Sequence, residues 1–255
     1  MALLTEGCHE SFKSELNNIL SLIAPLMQSQ NPRIMHGILM VMGYMSEEFA
    51  PQIQINYGDM ILGFIINCLK FPALKVKYMA VHCIQNFEKG ITQHKDVKVM
   101  EKYLPEIMAE LGTIFDFGLT KMNYSLLDAL LETITTIADL NPFEQYYGTF
   151  MPGLKKIISM LGTESQLQVM VRTRTVETMG YLLASVKEQK ELFEPDCKEI
   201  MESIIKMSQG LDKDDPLFRA IFVVYENVAT CLKENFLIYS DYVFPQATGA
   251  ALRKV

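Results

Sequence analysis

The sequence predicts an all-α fold, a right-handed α-solenoid of about five stacked helix pairs with partial units at both ends. Apolar residues recur at helical spacing along the chain, and the short breaks between these stretches often contain proline. The tripeptide Met-Gly-Tyr at 42–44 returns at 179–181, which is 137 residues later, or three units of about 46 residues. Hydrophobic-proline pairs recur at intervals of one or two such units, at 24–25, 104–105, 151–152 and 244–245.

The spacing of these repeats indicates the kind of array. A period of about 40–47 residues with two helices per unit is typical of HEAT and armadillo repeats. One helix pair cannot bury its own apolar face, so neighbouring pairs stack and share a continuous core. Because such arrays present a long surface to other molecules, the fold class favours a protein that binds partners.

The breaks between apolar stretches set the expected boundaries. We expect units at 8–49, 50–90, 91–141, 142–187 and 188–235, followed by a partial unit at 236–255. The helix pairs are expected near 11–28 and 32–48, 52–70 and 73–89, 97–117 and 121–140, 143–161 and 165–186, and 197–208 and 216–234. Because the chain begins and ends within a unit, we expect a segment cut from a longer solenoid. Its uncovered end faces should be apolar and tend to pair end to end.

Prolines occupy two kinds of position in these pairs. One group is expected to open second helices, where the first turn leaves N–H groups without partners, and comprises Pro32, Pro72 and Pro216. The other group is expected to bend first helices from within and comprises Pro25, Pro105 and Pro152.

Composition and charge narrow the class of partner. Hydrophobic residues make up 49% of the chain and charged residues 21%, which is typical of a folded protein and too apolar for a disordered one. The net charge is −7, and no run rich in lysine and arginine appears, which argues against nucleic acid as a partner. An acidic surface instead favours basic partners.

Cysteine and hydropathy patterns indicate a soluble intracellular protein with no membrane partner. The five cysteines are scattered without a CxxC pair, so we expect buried free thiols in a reducing compartment. The most apolar window, at 60–69, is about half as long as a bilayer requires.

Polar and aromatic residues recur on one face of the predicted second helices. In the helix at 73–89, His82 and Asn86 lie off the apolar stripe, and their counterparts by repeat offset include Tyr44, Glu132 and Tyr181. In the fifth unit, Glu226 with Thr230 continues the spacing. The predicted ridge comprises Tyr44, His82, Asn86, Asp128, Glu132, Glu177, Tyr181, Glu226 and Asn227. Such a column is either a binding ridge or an ordinary solvated face.

Several short motifs, in order and spacing, resemble the importin-β (karyopherin-β) family, and within it the middle HEAT repeats of the importin beta-3 branch. They are Glu-Gly-Cys-His at 6–9, Asn-Pro-Arg at 31–33, Phe-Ala-Pro at 49–51, Ala-Asp at 138–139, Phe-Met-Pro-Gly-Leu-Lys at 150–155 and Asp-Asp-Pro at 214–216. The resemblance runs along essentially the whole chain.

This resemblance implies a nuclear import receptor that shuttles between cytoplasm and nucleus through the nuclear pore. Such receptors bind basic cargo signals on the concave face formed by second helices and release them when Ran-GTP binds, mainly through regions outside this segment. In the importin beta-3 branch, acidic and asparagine side chains hold lysines, which implies this role for Asn86, Glu132, Glu177 and Glu226.

The resemblance also implies contacts with nucleoporins that carry Phe-Gly repeats. Their phenylalanine rings dock between first helices on the convex face. Apolar residues expected to border such grooves are Phe64, Phe115 and Ile157.

The sequence gives little support to catalysis. A di-iron site in a helical-repeat enzyme needs repeated His-Glu pairs, whereas this chain has one, at His9-Glu10. Motifs for a P-loop, a zinc protease or a serine hydrolase are missing from the sequence. We therefore predict no enzyme activity, cofactor or metal. The alternatives are a non-transport HEAT scaffold, such as a phosphatase or chromosome-organising subunit, and an accessory subunit of an enzyme.

Overall fold

The described part of the chain is helical. The computed structural model describes residues 15–92, 94, 98–162, 164–209, 211 and 215–251, and within these residues it contains no β-strand. This confirms the all-α class. The chain forms two compact units, one extending to Gly118 and the other beginning at Leu119.

Each unit is a series of helices. The first contains α1 (over 15–23), a 3-10 turn (Ala24–Gln28), α2 (Pro32–Glu48), α3 (Gln52–Leu69), α4 (Leu74–Ile91) and most of α5 (Leu104–Lys121). The second contains α6 (Tyr124–Leu140), a 3-10 turn (Glu144–Tyr146), α7 (Tyr147–Met160), α8 (Gln166–Ser185), α9 (Lys190–Ser208), α10 (Pro216–Leu232), a 3-10 segment (Lys233–Tyr239) and α11 (Ser240–Ala251).

The second helices α2, α6, α8 and α10 begin at side-chain caps, whereas α4 does not. Asn31 accepts a hydrogen bond from the Arg33 amide at 2.9 Å, and Asp215 accepts one from the Leu217 amide at 2.9 Å. In each case proline occupies the first helical position, as predicted for Pro32 and Pro216. The prediction for Pro72 was wrong, because it precedes Leu74, where α4 starts.

Two first helices start away from their predicted positions. The helix expected at 97–117 begins at Leu104, because Pro105 is tolerated in a first turn but would interrupt a longer helix. The helix expected at 197–208 begins instead at Lys190 and includes Pro195. Pro195 is its sixth residue, the same place that Pro152 takes in α7 and Pro245 in α11. Pro195 is therefore a further member of the proline series.

Second helices pack on one another within each unit, α2 on α4 in the first and α6, α8 and α10 in succession in the second. The apolar stripe predicted for α4 is confirmed, since Val76, Cys83 and Phe87 are fully buried. The described cysteines are buried free thiols, as predicted, whereas Cys8 lies outside the described residues. Burial raises the pKa of the Cys231 thiol to about 11.

Polar contacts join first helices of successive pairs. In the first unit, Lys70, the residue after α3, pairs with Glu106 of α5 at 2.5 Å. In the second, Lys155 of α7 pairs with Asp196 and Glu199 of α9. These ion pairs connect first helices of neighbouring pairs within each unit.

Candidate functional site

The ridge residues of the first unit are polar and aromatic. Tyr44 of α2 is exposed, and His82 and Asn86 of α4 are half-buried. The His82 ring stands edge-to-face against Tyr78, with ring centroids 4.6 Å apart. This part of the predicted ridge offers hydrogen bonds and ring faces more than charge.

The repeated Met-Gly-Tyr motif allows an asparagine of the next second helix to approach. A Cβ atom on Gly43 would lie 3.3 Å from Asn86 Nδ2, and a Cβ on Gly180 would lie 3.3 Å from Asn227 Nδ2. The two asparagine amides therefore occupy equivalent places, each over the glycine of the preceding second helix.

This equivalence corrects the predicted register of α10. Helical spacing alone predicts Thr230 at the place of Asn86 in the fifth unit, whereas the structure matches Asn86 with Asn227. The backbone agrees, because Cys83 Cα and Val224 Cα lie 3.6 Å and 3.3 Å from the Cβ positions of their respective glycines. Asn227 is half-buried, while Glu226 beside it is exposed. The fifth unit lacked a sequence anchor, so its register could not be set from spacing alone.

Three predicted acidic residues come together in the second unit around an arginine that the sequence analysis did not include. Arg174 of α8 lies 3.6 Å from Asp128 Oδ1, 3.6 Å from Glu132 Oε2 and 3.7 Å from Glu177 Oε2. The side chains of these four residues are 22–33% exposed, so the group is partly shielded from water. We call Asp128, Glu132 and Glu177 the acidic cluster.

The acidic cluster keeps a formal excess of two negative charges over Arg174. All three distances exceed the usual length of a charge-assisted hydrogen bond, about 2.7–2.9 Å. Asp128 Oδ1 is buried and has no hydrogen-bond partner in the described part of the chain. A buried acceptor without a hydrogen bond is energetically unfavourable.

Tyr181 lies beside further acidic residues. Burial raises the pKa of its hydroxyl, and the charges of Asp139, Glu177 and Glu226 raise it further, while Arg219 acts in the opposite direction. The half-buried ring thus stands in a negative environment. Asp139 was absent from the predicted site, although it forms part of the Ala-Asp motif at 138–139.

The residues predicted to border nucleoporin grooves are buried. Phe64, Phe115 and Ile157 are 4%, 1% and 2% exposed, respectively. Their side chains therefore fill the core of their units. Docking of phenylalanine rings beside these positions stays a prediction.

Within the described residues, every helix is too short or too polar to span a bilayer. Among the described residues, no three His, Cys, Asp or Glu side chains are grouped to hold a metal ion. The single His9-Glu10 pair lies outside them.

The chain is similar to known transport receptors. It is 25% identical over 244 residues to importin subunit beta-3 of Saccharomyces cerevisiae, and the match covers 94% of this chain and 21% of the relative. The chain therefore spans about a fifth of the length of the curated relative it matches. No family model matches the sequence.

Solved structures of Kap121p share the fold. Kap121p bound to Pho4p matches with a TM-score of 0.75 and 23% identity, covering 96% of this chain and 22% of the other. Kap121p bound to Nup53p matches with a TM-score of 0.72 and 24% identity over the same shares. The HEAT-repeat solenoid class and the resemblance to the importin-β family, in its beta-3 branch, are thereby confirmed.

Proposed function

From its similarity to importin subunit beta-3, we propose that this chain is a segment of a nuclear import receptor that binds basic segments of cargo proteins. The acidic cluster is the observation that carries the proposal. It combines three carboxylates from two packed second helices, an excess of negative charge and a buried oxygen that lacks a hydrogen bond.

A cargo lysine or arginine suits this cluster chemically. Its cationic group would donate to Asp128 and Glu132 at normal hydrogen-bond length, while Arg174 stays with Glu177, three residues further along α8. Partial shielding from water strengthens such a contact relative to one on an open surface. Binding would thus be driven by charge and depend on salt.

Neighbouring residues would hold the rest of the peptide. The amide of Asn227 can both donate to and accept from a peptide backbone. The Tyr181 ring would cover the aliphatic stem of a cargo lysine or arginine, or contact its cationic group. A cation–π contact of this kind contributes about 0.5–2 kcal/mol. Glu226 adds charge at the exposed edge. In the first unit, Tyr44, His82 and Asn86 offer the same kinds of contact with less charge.

The wider receptor function belongs to the same proposal. Release by Ran-GTP would rest mainly on parts of the receptor outside this segment, and Phe-Gly nucleoporins would dock between first helices. The receptor would shuttle between cytoplasm and nucleus without nucleic acid, membrane or catalytic chemistry. That Kap121p has been solved with Pho4p and with Nup53p supports partner binding by this fold.

A titration against paired peptides tests the proposal. A peptide with several lysines should bind, and its analogue with glutamine at those positions should bind at least about tenfold more weakly. Raising the salt concentration should reduce this difference, because the contacts are electrostatic. Equal affinity for both peptides would contradict the proposal.

A non-transport HEAT scaffold makes a different prediction for the full-length protein. An import receptor should be captured by Ran-GTP and by Phe-Gly repeats, whereas a phosphatase or chromosome-organising scaffold should be captured by neither. Capture by neither would therefore favour the scaffold.

A further inference from the structure

A second polar site lies in the second unit, in a cavity bordered by α7, α8 and α9. Its volume is about 500 Å³, within the range of about 300–1,000 Å³ usual for ligand pockets. The apolar part of its lining comprises Ile158, Met179, Ile200, Ile204 and Met207. The polar part comprises Lys155, Ser159, Arg172, Glu199, Ser203 and Lys206.

The charge of this lining is opposite to that of the whole chain. Three basic residues and one acidic residue border the cavity, in a protein of net charge −7. Lys155 contacts both Asp196 and Glu199, so these three side chains together carry a formal charge of −1. Arg172 and Lys206 remain as the cations that face the cavity without an acidic partner in the described part of the chain.

The Arg172 side chain has a hydrogen-bond donor without an acceptor. Its Nε atom is buried and has no hydrogen-bond partner among the described residues. A buried donor of this kind is unfavourable unless another molecule accepts from it. Because a guanidinium presents its donors as a planar fork, it matches the oxygens of phosphate or carboxylate.

We propose that this cavity binds a phosphorylated serine or threonine side chain of a peptide, together with an adjacent apolar residue. A phosphate carries about −1.5 to −2 charges at pH 7, which matches the two cations, whereas a carboxylate carries one. The Ser203 hydroxyl can donate to a phosphate oxygen, and the isoleucine and methionine side chains would cover the apolar neighbour.

The cavity is separate from the acidic cluster. Arg172 and Arg174 are two residues apart on α8, so their side chains leave the helix in different directions. One borders the cavity beside α9, and the other contacts carboxylates of α6. Phosphopeptide binding in the cavity is therefore independent of the proposed binding of basic cargo at the acidic cluster, and the two sites are tested with different ligands.

The test compares a phosphoserine peptide with apolar flanking residues and its unphosphorylated form by calorimetric titration. The phosphopeptide should bind at least about tenfold more tightly, and inorganic phosphate at millimolar concentration should compete with it. Arg172→Met should lose about tenfold or more of this affinity, and Arg172→Lys should retain part of it. Lys156→Met, which removes an exposed cation of α7 outside the cavity, should change affinity less than about twofold.

Equal binding of both peptides would overturn the inference, as would unchanged phosphopeptide binding by Arg172→Met. Circular dichroism and thermal unfolding establish whether Arg172→Met is folded. If Arg172→Met is not folded, the milder Arg172→Lys variant provides the test. Phosphopeptide affinity of Arg172→Lys within twofold of that of the unmodified protein would also overturn the inference.

Discussion

At the scale of single residues, Arg174 decides how the acidic cluster behaves. The sequence analysis chose Glu132 and Glu177 correctly as neighbours, because the repeat offset places both on one face of stacked helices. Arg174, which lies one turn before Glu177, was not predicted, because the ridge was assembled from acidic, aromatic, histidine and asparagine side chains. Whether a cation of the same chain sits between the carboxylates depends on side-chain packing, which spacing does not determine.

Arg174 should compete with a cargo cation for the same carboxylates. Arg174→Met keeps the aliphatic stem and removes the charge, so we expect a lysine-rich peptide to bind about threefold more tightly or better. Calorimetry at low salt measures this change. Lys156→Met removes one exposed positive charge in the same unit and should alter affinity less than about twofold. Weaker binding by Arg174→Met would show that the arginine contacts the peptide instead of competing with it.

At the scale of helices, the sequence located most elements but misplaced some of their ends. Helical spacing and the breaks between apolar stretches identified α2, α4, α6 and α8 within a few residues. The first turns of α9 were not predicted, because Pro195 lies before the predicted helix start. A helix tolerates the one hydrogen bond that such a proline removes when its other contacts are good. The register between α8 and α10 depends on how closely Gly180 allows the next helix to approach, and that distance is a property of the packed pair.

The two Met-Gly-Tyr glycines provide a test of helix contact. A Cβ on Gly180 would lie 3.3 Å from Val224 Cα, a backbone atom that cannot move alone, so Gly180→Ala should lower the free energy of unfolding by about 1–2 kcal/mol. At Gly43 the nearest atom is Nδ2 of Asn86, at the end of a side chain that can move. Gly43→Ala should therefore lower the free energy of unfolding by less than Gly180→Ala does. Denaturant unfolding measures both changes.

Gly37 is the matched control on α2, because no heavy atom lies within 4 Å of its Cβ position. Gly37→Ala should raise the free energy of unfolding by about 0.5–1 kcal/mol, the usual gain from replacing glycine within a helix. Equal effects at Gly37 and Gly180 would contradict the close approach of α8 and α10.

At the scale of the whole molecule, the proposed binding sites depend on how charged side chains are distributed. The chain carries a net charge of −7, and in the second unit three carboxylates of α6 and α8 surround Arg174, while Arg172 and Lys206 border a cavity beside α9. The sequence predicted the HEAT-repeat class and the acidic character of the site. It could not predict the cavity, because its lining comes from three helices whose side chains meet only after packing.

Reversing the charge of the acidic cluster tests the claim that this cluster receives basic cargo. Calorimetric titration of Glu132→Lys/Glu177→Lys with a lysine-rich peptide should show at least a tenfold loss of affinity, about 1.4 kcal/mol, with helical content unchanged. Glu191→Lys/Glu202→Lys, which makes the same charge change at exposed positions of α9, should lose less than about threefold. Equal losses in the two double variants, or normal binding by Glu132→Lys/Glu177→Lys, would contradict the claim.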